Sequence, residues 1–311
     1  MLAYILRRFL GIALTLLLLS IFTFVLSRTV PGGPWLQGVE IPQSPQQVAA
    51  FKAKYGLDKP LWQQYLVWLR NALTLDLGVP FSMPEITVSR LIGRLLPYSA
   101  LVGGLAATLA IALGVALGIA SAARANTWLD NVITLYAVFI GTIPSFVMGF
   151  VLAYFLAAKL GWFPTGGWGG PRHLVLPVIA YGLPVSGGVA RWTRQCMLEA
   201  MGSDYVRTAY AKGVRELGVM TRHVLRNALI PMITNFLPLF PGMMTGSIFI
   251  ESVFGLPGLG KYFVMSSTNR DYPMVLGITM FWALLIACTY LVTDILYGII
   301  DPRVRIAEKA A

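Results

Sequence analysis

A glycine-rich heptapeptide near the end of the chain is its closest match to a catalytic motif. Residues 255–261 read GLPGLGK, which fits the first seven positions of a phosphate-binding P-loop. The eighth position of such a loop is Ser or Thr, which holds Mg²⁺, but here it is Tyr262. The stretch also follows an apolar run that suits a membrane helix, not a strand. We interpret it as a tight turn on the outer membrane face and predict no nucleotide site there.

The sequence contains few residues that could bind a metal ion or act as a nucleophile. The two histidines are His173 and His223, and neither belongs to a helical HExxH pair. Cys196 and Cys288 lie far apart, so they provide neither a disulfide framework nor metal-ligand spacing. We therefore predict no catalytic residue, no metal site and no cofactor bound by this chain itself.

Carboxylates and helix-breaking residues within apolar runs are candidates for a translocation path. Ionisable residues inside a membrane are functional candidates by default. A carboxylate near the end of a span can instead form a structural ion pair or extend its side chain to the membrane interface. Prolines leave backbone carbonyls that must face protein or a water-filled cavity, and plain helix packing is the alternative. The candidates are Pro144, Pro184, Pro241, Gly242, Glu251 and Asp294.

Three apolar runs carry such breaks: 141–144, Pro177 with Pro184, and Pro238 with Pro241 and Gly242. Three interrupted spans in one chain favour a domain that moves and lines a cavity. Gly114 and Gly118 form a GxxxG pair, which predicts a close approach of two helix backbones.

The composition is that of a membrane protein. Apolar residues make up 57% of the chain and charged residues 12%, against roughly 25% charged in soluble domains. Lipid admits helices or closed barrels, and the alternating pattern of barrel strands does not occur in the sequence. We predict an all-α integral membrane protein, since a span takes about 20 residues. Its six transmembrane helices are 9–26, 98–122, 128–157, 173–190, 229–250 and 273–300.

The positions of Lys and Arg orient these spans. With the N-terminus in the cytoplasm, the short outer loops hold only Lys159, Arg172, Lys261 and Arg270. Both termini are then cytoplasmic, and much of the net charge of +11 reflects topology. Nucleic-acid binding is not predicted, because no basic patch is interleaved with aromatic residues. The first apolar run exceeds a signal-peptide core of about 7–15 residues, so we expect an uncleaved helix.

The longest polar interruption in the second half of the chain, residues 191–231, combines helix signals with basic residues. Asp204 can cap a helix start, and Gly213 can end that helix in a left-handed conformation. A second helical run, 217–229, follows. The pattern predicts a structured cytoplasmic knob of two short helices that a partner protein contacts.

The long outer segment, 29–97, carries two amphipathic helices. The first starts at Ser44 and Pro45, ends at Gly56 and has one apolar face: Val48, Phe51 and Tyr55. The second follows 58–60, and its apolar face is Leu61, Tyr65, Trp68 and Ala72. Such helices need a surface to lie on. Periodicity leaves open whether they pack on the membrane domain or dock an external protein.

Motifs along nearly the whole chain resemble the permease subunits of ABC importers of the dipeptide/oligopeptide class. Those outside the knob are Arg28 with 31–34, 55–60, 76–78, Glu251 with 253–254, 257–260, 270–273, and Asp294 with 301–303. Residues 204–213 and 222–231 resemble the "EAA" loop of these permeases. Tyr210 stands where the class usually has arginine, and Tyr290 where it usually has asparagine. The outer segment resembles that of the B-type subunit of such importers.

The resemblance implies a type I importer permease fold in a bacterial inner membrane. Residues 1–28 would form the N-terminal end and first helix, 29–97 the exofacial segment, 98–302 the permease domain with a coupling loop at 191–230, and 303–311 the cytoplasmic tail. The implied partners are a second homologous permease, two ATPase subunits that bind ATP and Mg²⁺, an extracytoplasmic substrate-binding protein and membrane lipid.

The resemblance also implies which residues contact the ATPase: Arg207, Thr208, Ala209, Tyr210, Ala211, Lys212, Gly213 and Arg215. Ala209 and Gly213 lie one helical turn apart, and their small size would let a partner approach closely. The class serves dipeptides, oligopeptides, glutathione, nickel complexes and some sugars, and residues 31–34 favour oligopeptides.

Other transport classes make different demands on the sequence. An ion-gradient-driven secondary transporter is the main alternative, and it would show internal repeats with broken segments in matching positions. A channel would need a pore ring made by oligomerisation, and a membrane-embedded enzyme a convergent polar cluster. The sequence displays none of these features clearly.

Overall fold

The computed structural model describes residues 2–29, 32–34 and 44–300, with side chains for 6–29, 32–34 and 44–293. Within that part of the chain every regular element is helical, which confirms the predicted all-α class. The helices are α1 (Leu2–Thr29), α2 (Pro45–Lys54), α3 (Leu61–Leu73), α4 (Val88–Ala123), α5 (Trp128–Thr142), α6 (Ser145–Leu152), α7 (Pro171–Met201), α8 (Asp204–Ala211), α9 (Glu216–Gly218), α10 (Arg226–Phe236), α11 (Leu239–Met244), α12 (Ile248–Val253), α13 (Leu259–Thr268) and α14 (Tyr272–Ile300). Two π-helical segments, Ala153–Lys159 and Val219–Leu225, follow α6 and α9.

Five of the six predicted spans each coincide with one helical stretch. These stretches are long and apolar enough to cross a membrane, and Trp128–Thr142 with Ser145–Lys159 makes a sixth span if this bent pair counts as one. α4 begins at Val88 and α7 continues to Met201, so both are longer than the apolar runs that predicted them. Hydropathy marks the part of a helix that lipid accepts, whereas backbone hydrogen bonding continues into the polar flanks.

Two of the three predicted breaks interrupt a helix. The bent pair turns by 94° at Ile143 and Pro144, where the backbone of Ile143 is extended. Pro238 lies in the break at 237–238 that separates α10 from α11, whereas Pro241 and Gly242 lie within α11 and do not interrupt it. α7, by contrast, runs unbroken through Pro177 and Pro184, so the predicted break in the fourth span is wrong. Each proline removes one N–H donor, and in a packed bundle neighbouring groups can satisfy the freed carbonyl without breaking the helix.

Residue contacts divide the chain into two compact units. The first comprises Met1–Pro97 and Pro257–Cys288, and the second comprises Tyr98–Leu256 and Thr289–Ala311. The core of the first unit combines the start of α4 with α13 and α14 through Val88, Leu91, Ile92, Leu95, Leu259, Met274 and Ile278. The second unit has a core in which α7 and α8 meet the helices that follow them.

The start of α2 confirms the predicted helix signals. Ser44 and Gln47 form a reciprocal capping box, with Pro45 in the first turn. Gly56 follows the helix with a φ of +65°, a conformation that favours glycine. No residue of α2 is buried, so this helix presents most of its surface.

α3 packs on α1 within the first unit. The rings of Tyr65 and Trp68 lie 5.3 and 6.3 Å from that of Phe24, and the Tyr65 hydroxyl is 2.8 Å from Ser20 Oγ. The inner face of the second amphipathic helix therefore packs on another helix of its own chain, which is the first of the two alternatives that the sequence left open. Leu61 aligns with the same face in sequence but is 52% exposed, so the packed face begins one turn later.

A buried carboxylate fixes the segment before α4 in the first unit. Asp271 accepts hydrogen bonds from the backbone N–H groups of Phe81 and Ser82, at 3.0 and 2.9 Å, and from the Ser82 hydroxyl at 2.6 Å. The side chain is fully buried. Three donors compensate the carboxylate for its lost hydration, so this contact holds the two loops together.

Glycines bring α4 and α7 together in the second unit. A Cβ atom added to Gly114 would lie 2.5 Å from Val189 Cβ, and one added to Gly118 would lie 2.5 Å from Thr193 Cβ. Both distances are shorter than real Cβ contacts, so larger residues would separate the helices. The predicted close approach at the GxxxG pair is therefore confirmed.

Candidate functional site

α8 lies at the centre of the candidate coupling surface, which we define as the exposed residues of 204–217. Its inner face carries Val206 and Ala209, which are only 2% and 4% exposed. They pack in the same hydrophobic core as Met197 of α7 and Val224 of the second π-helical segment. This burial attaches α8 firmly to the end of α7 and sets which of its side chains face outward.

The burial of Ala209 corrects one prediction. Sequence spacing suggests that Ala209 presents a small side chain to a partner, but that side chain faces the core of its own chain. Residues three apart lie on the same face of a helix, and the buried Val206 lies on the same face as Ala209. Ala209 therefore positions α8 and does not contribute its side chain to the exposed surface.

The start of α8 is also shifted from the prediction. Ser203 occupies the N-cap position, and Asp204 is the first helical residue. The Asp204 carboxylate lies 3.8 Å from the Arg207 guanidinium, with both side chains exposed. A carboxylate in the first turn still interacts favourably with the helix dipole. The predicted end is confirmed, because Gly213 has a φ of +75° and its N–H donates to the Tyr210 carbonyl.

The outer face of this surface combines basic, aromatic and aliphatic side chains. The predicted residues that are exposed are Arg207, Thr208, Tyr210, Ala211, Lys212, Gly213 and Arg215. Tyr205 and Leu217, which were not predicted, are 41% and 77% exposed beside them. An apolar residue within a basic loop is the sequence signal that could have identified them. Tyrosine and arginine are enriched among the residues that dominate binding at protein interfaces.

A buried ion pair stabilises the helices that carry this surface. Arg194 of α7 donates from Nε and Nη2 to the two oxygens of Asp130, each over 2.7 Å. Asp130 also accepts from the Ser121 hydroxyl of α4 and from the backbone N–H of Asn126 at 2.8 Å. One carboxylate thus connects α4, α5 and α7. Arg194 was predicted only as one of many basic residues, and its partner Asp130 was not singled out.

Glu251 forms the second buried polar centre of this unit. Its side chain is 2% exposed, which excludes a side chain reaching toward the interface. Ser99 of α4 donates to its Oε1 over 2.7 Å. A Cβ on Gly246 would lie 2.5 Å from that oxygen, and Gly246 also has a φ of +98°. Glycine at this position therefore allows the backbone to close over the carboxylate.

The predicted path residues occupy different environments. Pro184 and Glu251 are buried, whereas Pro144 and Gly242 are exposed, and Pro241 lies between these extremes. The Pro184 carbonyl would lie 3.7 Å from a Cβ placed on Gly141, so the bend of α5 packs over α7 at this point. The side chain of Asp294 lies outside the described residues. Membership of one path therefore stays a prediction for this set.

The described side chains include no group of three or more His, Cys, Asp or Glu residues that could hold a metal ion.

The P-loop-like heptapeptide follows α12 and enters α13, and Gly255 has a φ of +62°. This geometry fits the predicted turn, because a P-loop connects a strand to a helix.

Comparison with known proteins identifies the family. Residues 114–306 match the family described as "Binding-protein-dependent transport system inner membrane component", and residues 1–80 match its N-terminal region. The dipeptide transport system permease protein DppB of Lactococcus lactis subsp. cremoris is 39% identical over 307 residues, covering 98% of this chain and 100% of that protein. The oligopeptide transport system permease protein OppB of Haemophilus influenzae has the same identity and coverage.

A solved structure agrees with this family at the level of the fold. The chain described as "Crystal structure of an amino acid ABC transporter with histidines" aligns with a TM-score of 0.55 and 18% identity, covering 67% of this chain and 93% of that chain. The comparisons give no support to the alternative of an ion-gradient-driven transporter. The chain belongs to the family of binding-protein-dependent transport system inner membrane components, as a multi-pass permease.

Proposed function

We propose that this permease is a subunit of an ATP-driven peptide importer. The observation that carries the proposal is the match of 98% of the chain to relatives named as dipeptide and oligopeptide permeases. Oligopeptides are the favoured substrates, because the stretch at 31–34 resembles that of oligopeptide permeases. The chain pairs with a second homologous permease, and the two enclose the path.

The coupling surface receives an ATPase subunit on the cytoplasmic side. Arg207, Tyr210 and Lys212 face outward, while Val206 and Ala209 are packed in the core that includes α7. A push on α8 is therefore transmitted to α7. The Asp130–Arg194 pair then connects α7 to α4 and α5. Binding of ATP and Mg²⁺ in the partner ATPases would move these helices as a rigid lever between two access states.

The outer segment receives the substrate-binding protein. In the proposed orientation, both termini lie in the cytoplasm and segment 29–97 lies outside. The distribution of basic residues in the short loops supports this orientation. α2 is better suited to docking than α3, because it has a capped start and no buried residue, although the Phe51 ring on one of its faces packs 5.5 Å from that of Phe81. α3 is less suited, since its inner face is occupied by α1.

Reconstitution tests the proposal. We expect the purified chain alone to hydrolyse no ATP, whereas the complex with its ATPases and second permease should hydrolyse ATP and accumulate labelled oligopeptide in vesicles when the binding protein is present. The control is the same vesicle preparation with an ion gradient and no ATP, which should show no uptake. Gradient-driven uptake in this control, or ATP turnover by the isolated chain, would contradict the proposed function.

A further inference from the structure

We propose that α3 is an interfacial helix, which packs on α1 with its inner face and contacts membrane lipid with its exposed apolar side chains. A helix whose outer side faces water exposes mainly polar residues there, whereas a helix at a membrane surface keeps large apolar side chains exposed. The outer leaflet is the one that the proposed orientation assigns to α3. The contact with lipid itself does not depend on that orientation.

The contacts between α3 and α1 lie within the membrane-spanning part of α1. α1 is long and apolar enough to cross a membrane, and its apolar run ends at Leu26. The Tyr65 hydroxyl lies 2.8 Å from Ser20 Oγ, and the rings of Tyr65 and Trp68 contact that of Phe24. At about 1.5 Å per residue, Ser20 lies about 9 Å below Leu26 along the helix axis. The inner side chains of α3 therefore reach below the end of the apolar run, which places α3 at the border between hydrocarbon and water.

Large apolar side chains are exposed on α3 at this level. Trp62, Leu66 and Val67 are 63%, 54% and 55% exposed. Trp62 and Leu66 lie four residues apart on one side of the helix, and Leu69 and Leu73 continue this stripe into a cleft between α1, α3 and α14. Apolar side chains exposed together mark a protein interface or a contact with a membrane.

The neighbouring surface of α1 decides between these two occupants in favour of lipid. Phe22, Val25 and Leu26 surround the contact residue Phe24 in sequence, and they are 64%, 46% and 52% exposed. A membrane-spanning helix exposes such side chains to acyl chains. The exposed side of α3 lies at the same level and has the same apolar character. It therefore continues the lipid-facing surface of α1.

The one charged residue of α3 suits the membrane border. Arg70 is exposed and follows Leu66 and Val67 by four and three residues. Its aliphatic stem can lie along these side chains while the guanidinium reaches the lipid phosphates. Tryptophan and basic residues beside an apolar face are typical of helices that lie on a membrane. α2 differs, because it exposes polar residues such as Gln46 and Lys54, as a helix in water does.

Depth-dependent fluorescence quenching in the assembled transporter tests this location. An environment-sensitive dye is attached to Leu66→Cys in nanodiscs, in a chain that also carries Cys288→Ser because Cys288 is exposed. We expect a blue-shifted emission and strong quenching by a phospholipid with a nitroxide close to the ester. A nitroxide at the end of the acyl chain should quench less, and iodide in the water should quench little.

Two labelled positions calibrate the measurement. Gln46→Cys on α2 is the control in water and should be quenched by iodide and not by either lipid. Leu18→Cys is the control inside the membrane, because Leu18 is exposed and lies about 12 Å below Leu26 along α1. Its label should respond most to the nitroxide at the chain end. ATP hydrolysis by each labelled complex verifies assembly, and Trp62→Cys reports on the same side of α3 if Leu66→Cys does not assemble.

Three outcomes would overturn the proposal. Quenching by iodide as strong at Leu66 as at Gln46 would place α3 in water. Protection from iodide and from both lipids would mean that the second permease or the binding protein covers this side. A response at Leu66 that matches that of Leu18 would place α3 inside the hydrocarbon layer. None of these outcomes depends on the substrate or on the energy source, so they are independent of the reconstitution test.

Discussion

α3 and α8 are both short helices attached to longer spans, yet the exposed side chains of α3 are mostly apolar and those of α8 are mostly basic or polar. α3 packs Tyr65 and Trp68 inward and exposes Trp62 and Val67. α8 packs Val206 and Ala209 inward and exposes basic and polar side chains together with Tyr205 and Tyr210. The inner faces are alike because both must join a core. The outer faces differ because we expect one to meet lipid and the other a protein in water.

The two helices also differ in the contacts that attach them to the rest of the chain. α3 is fixed to α1 by aromatic contacts and a hydroxyl pair. α8 depends on α7, which the Asp130–Arg194 pair connects to two other helices. The following predictions alter the supports and the outer faces in turn, beginning with the largest expected effect.

Breaking the support of α8 should have the largest effect. Asp130→Ala leaves the Arg194 guanidinium without its buried partner, and we expect a loss of about 3 kcal/mol, at the low end for a broken buried pair because Arg194 is partly exposed. Chemical denaturation of the purified chain in detergent measures this change. Asp204→Ala, which removes an exposed carboxylate, is the matched control and should change stability little. Equal stability of the two variants would show that the pair does not support α7.

Overfilling the inner face of α8 should come next. Ala209→Trp forces an indole into a closed core, and we expect a loss of about 1–3 kcal/mol together with a displaced α8. Thermal unfolding monitors the loss, and co-purification of the ATPase subunits monitors the displacement. Ala211→Trp places the same ring on the outer face of the helix and should leave the unfolding temperature nearly unchanged. A normal unfolding temperature for Ala209→Trp would place Ala209 on the surface after all.

Blocking the outer surface should impair function more than stability. A Cβ on Gly213 meets no atom within 4 Å, so Gly213→Trp fits sterically but requires a left-handed backbone that costs roughly 1–2 kcal/mol. We expect normal insertion, with loss of bound ATPase and of peptide uptake in vesicles. Gly213→Ala carries the same backbone cost without the ring and should retain most of the uptake. If Gly213→Trp keeps both bound ATPase and uptake, the surface around α8 is not the coupling element.

Exchanging the chemistry of the two outer faces should sharpen the comparison. Val67→Lys places a charge where we expect lipid, so we predict a loss of stability of about 1 kcal/mol that is larger in bilayers than in detergent. Arg207→Leu in α8 should leave stability unchanged and weaken ATPase binding. Unfolding in nanodiscs and in detergent measures the first effect. An identical response of Val67→Lys in both media would argue against lipid at α3.

Removing the cap of α2 should have the smallest effect. Ser44→Ala deletes the side-chain acceptor of the capping box, at a cost of about 1 kcal/mol to the start of the helix. If α2 docks the binding protein, affinity should fall by up to about fivefold while basal ATP hydrolysis stays constant. Gln46→Ala, an exposed change that leaves the cap intact, is the control. Unchanged affinity for Ser44→Ala would leave docking to another part of segment 29–97.

Local signals in the sequence were the most reliable guides to the fold. Apolar runs, the Ser44 cap, the left-handed turn at Gly213 and the close approach at Gly118 were all predicted, because each depends on a few neighbouring residues or on one residue type. The N-cap at Ser203 was missed by one position, since Ser and Asp are equally good cap residues. The continuity of α7 through Pro184 was missed, because a proline can break a helix or be accommodated by its neighbours.

The sequence by itself determined that the chain spans a membrane, which loop is basic and which family its motifs resemble. Only the tertiary structure decided that Ala209 faces inward, that Asp130 meets Arg194 across 64 residues of sequence, and that α3 leaves an apolar cleft beside α1. The physical reason is that helical periodicity assigns side chains to faces but does not say which neighbour each face meets. That choice depends on how the helices pack, and packing is set by contacts between residues far apart in the chain.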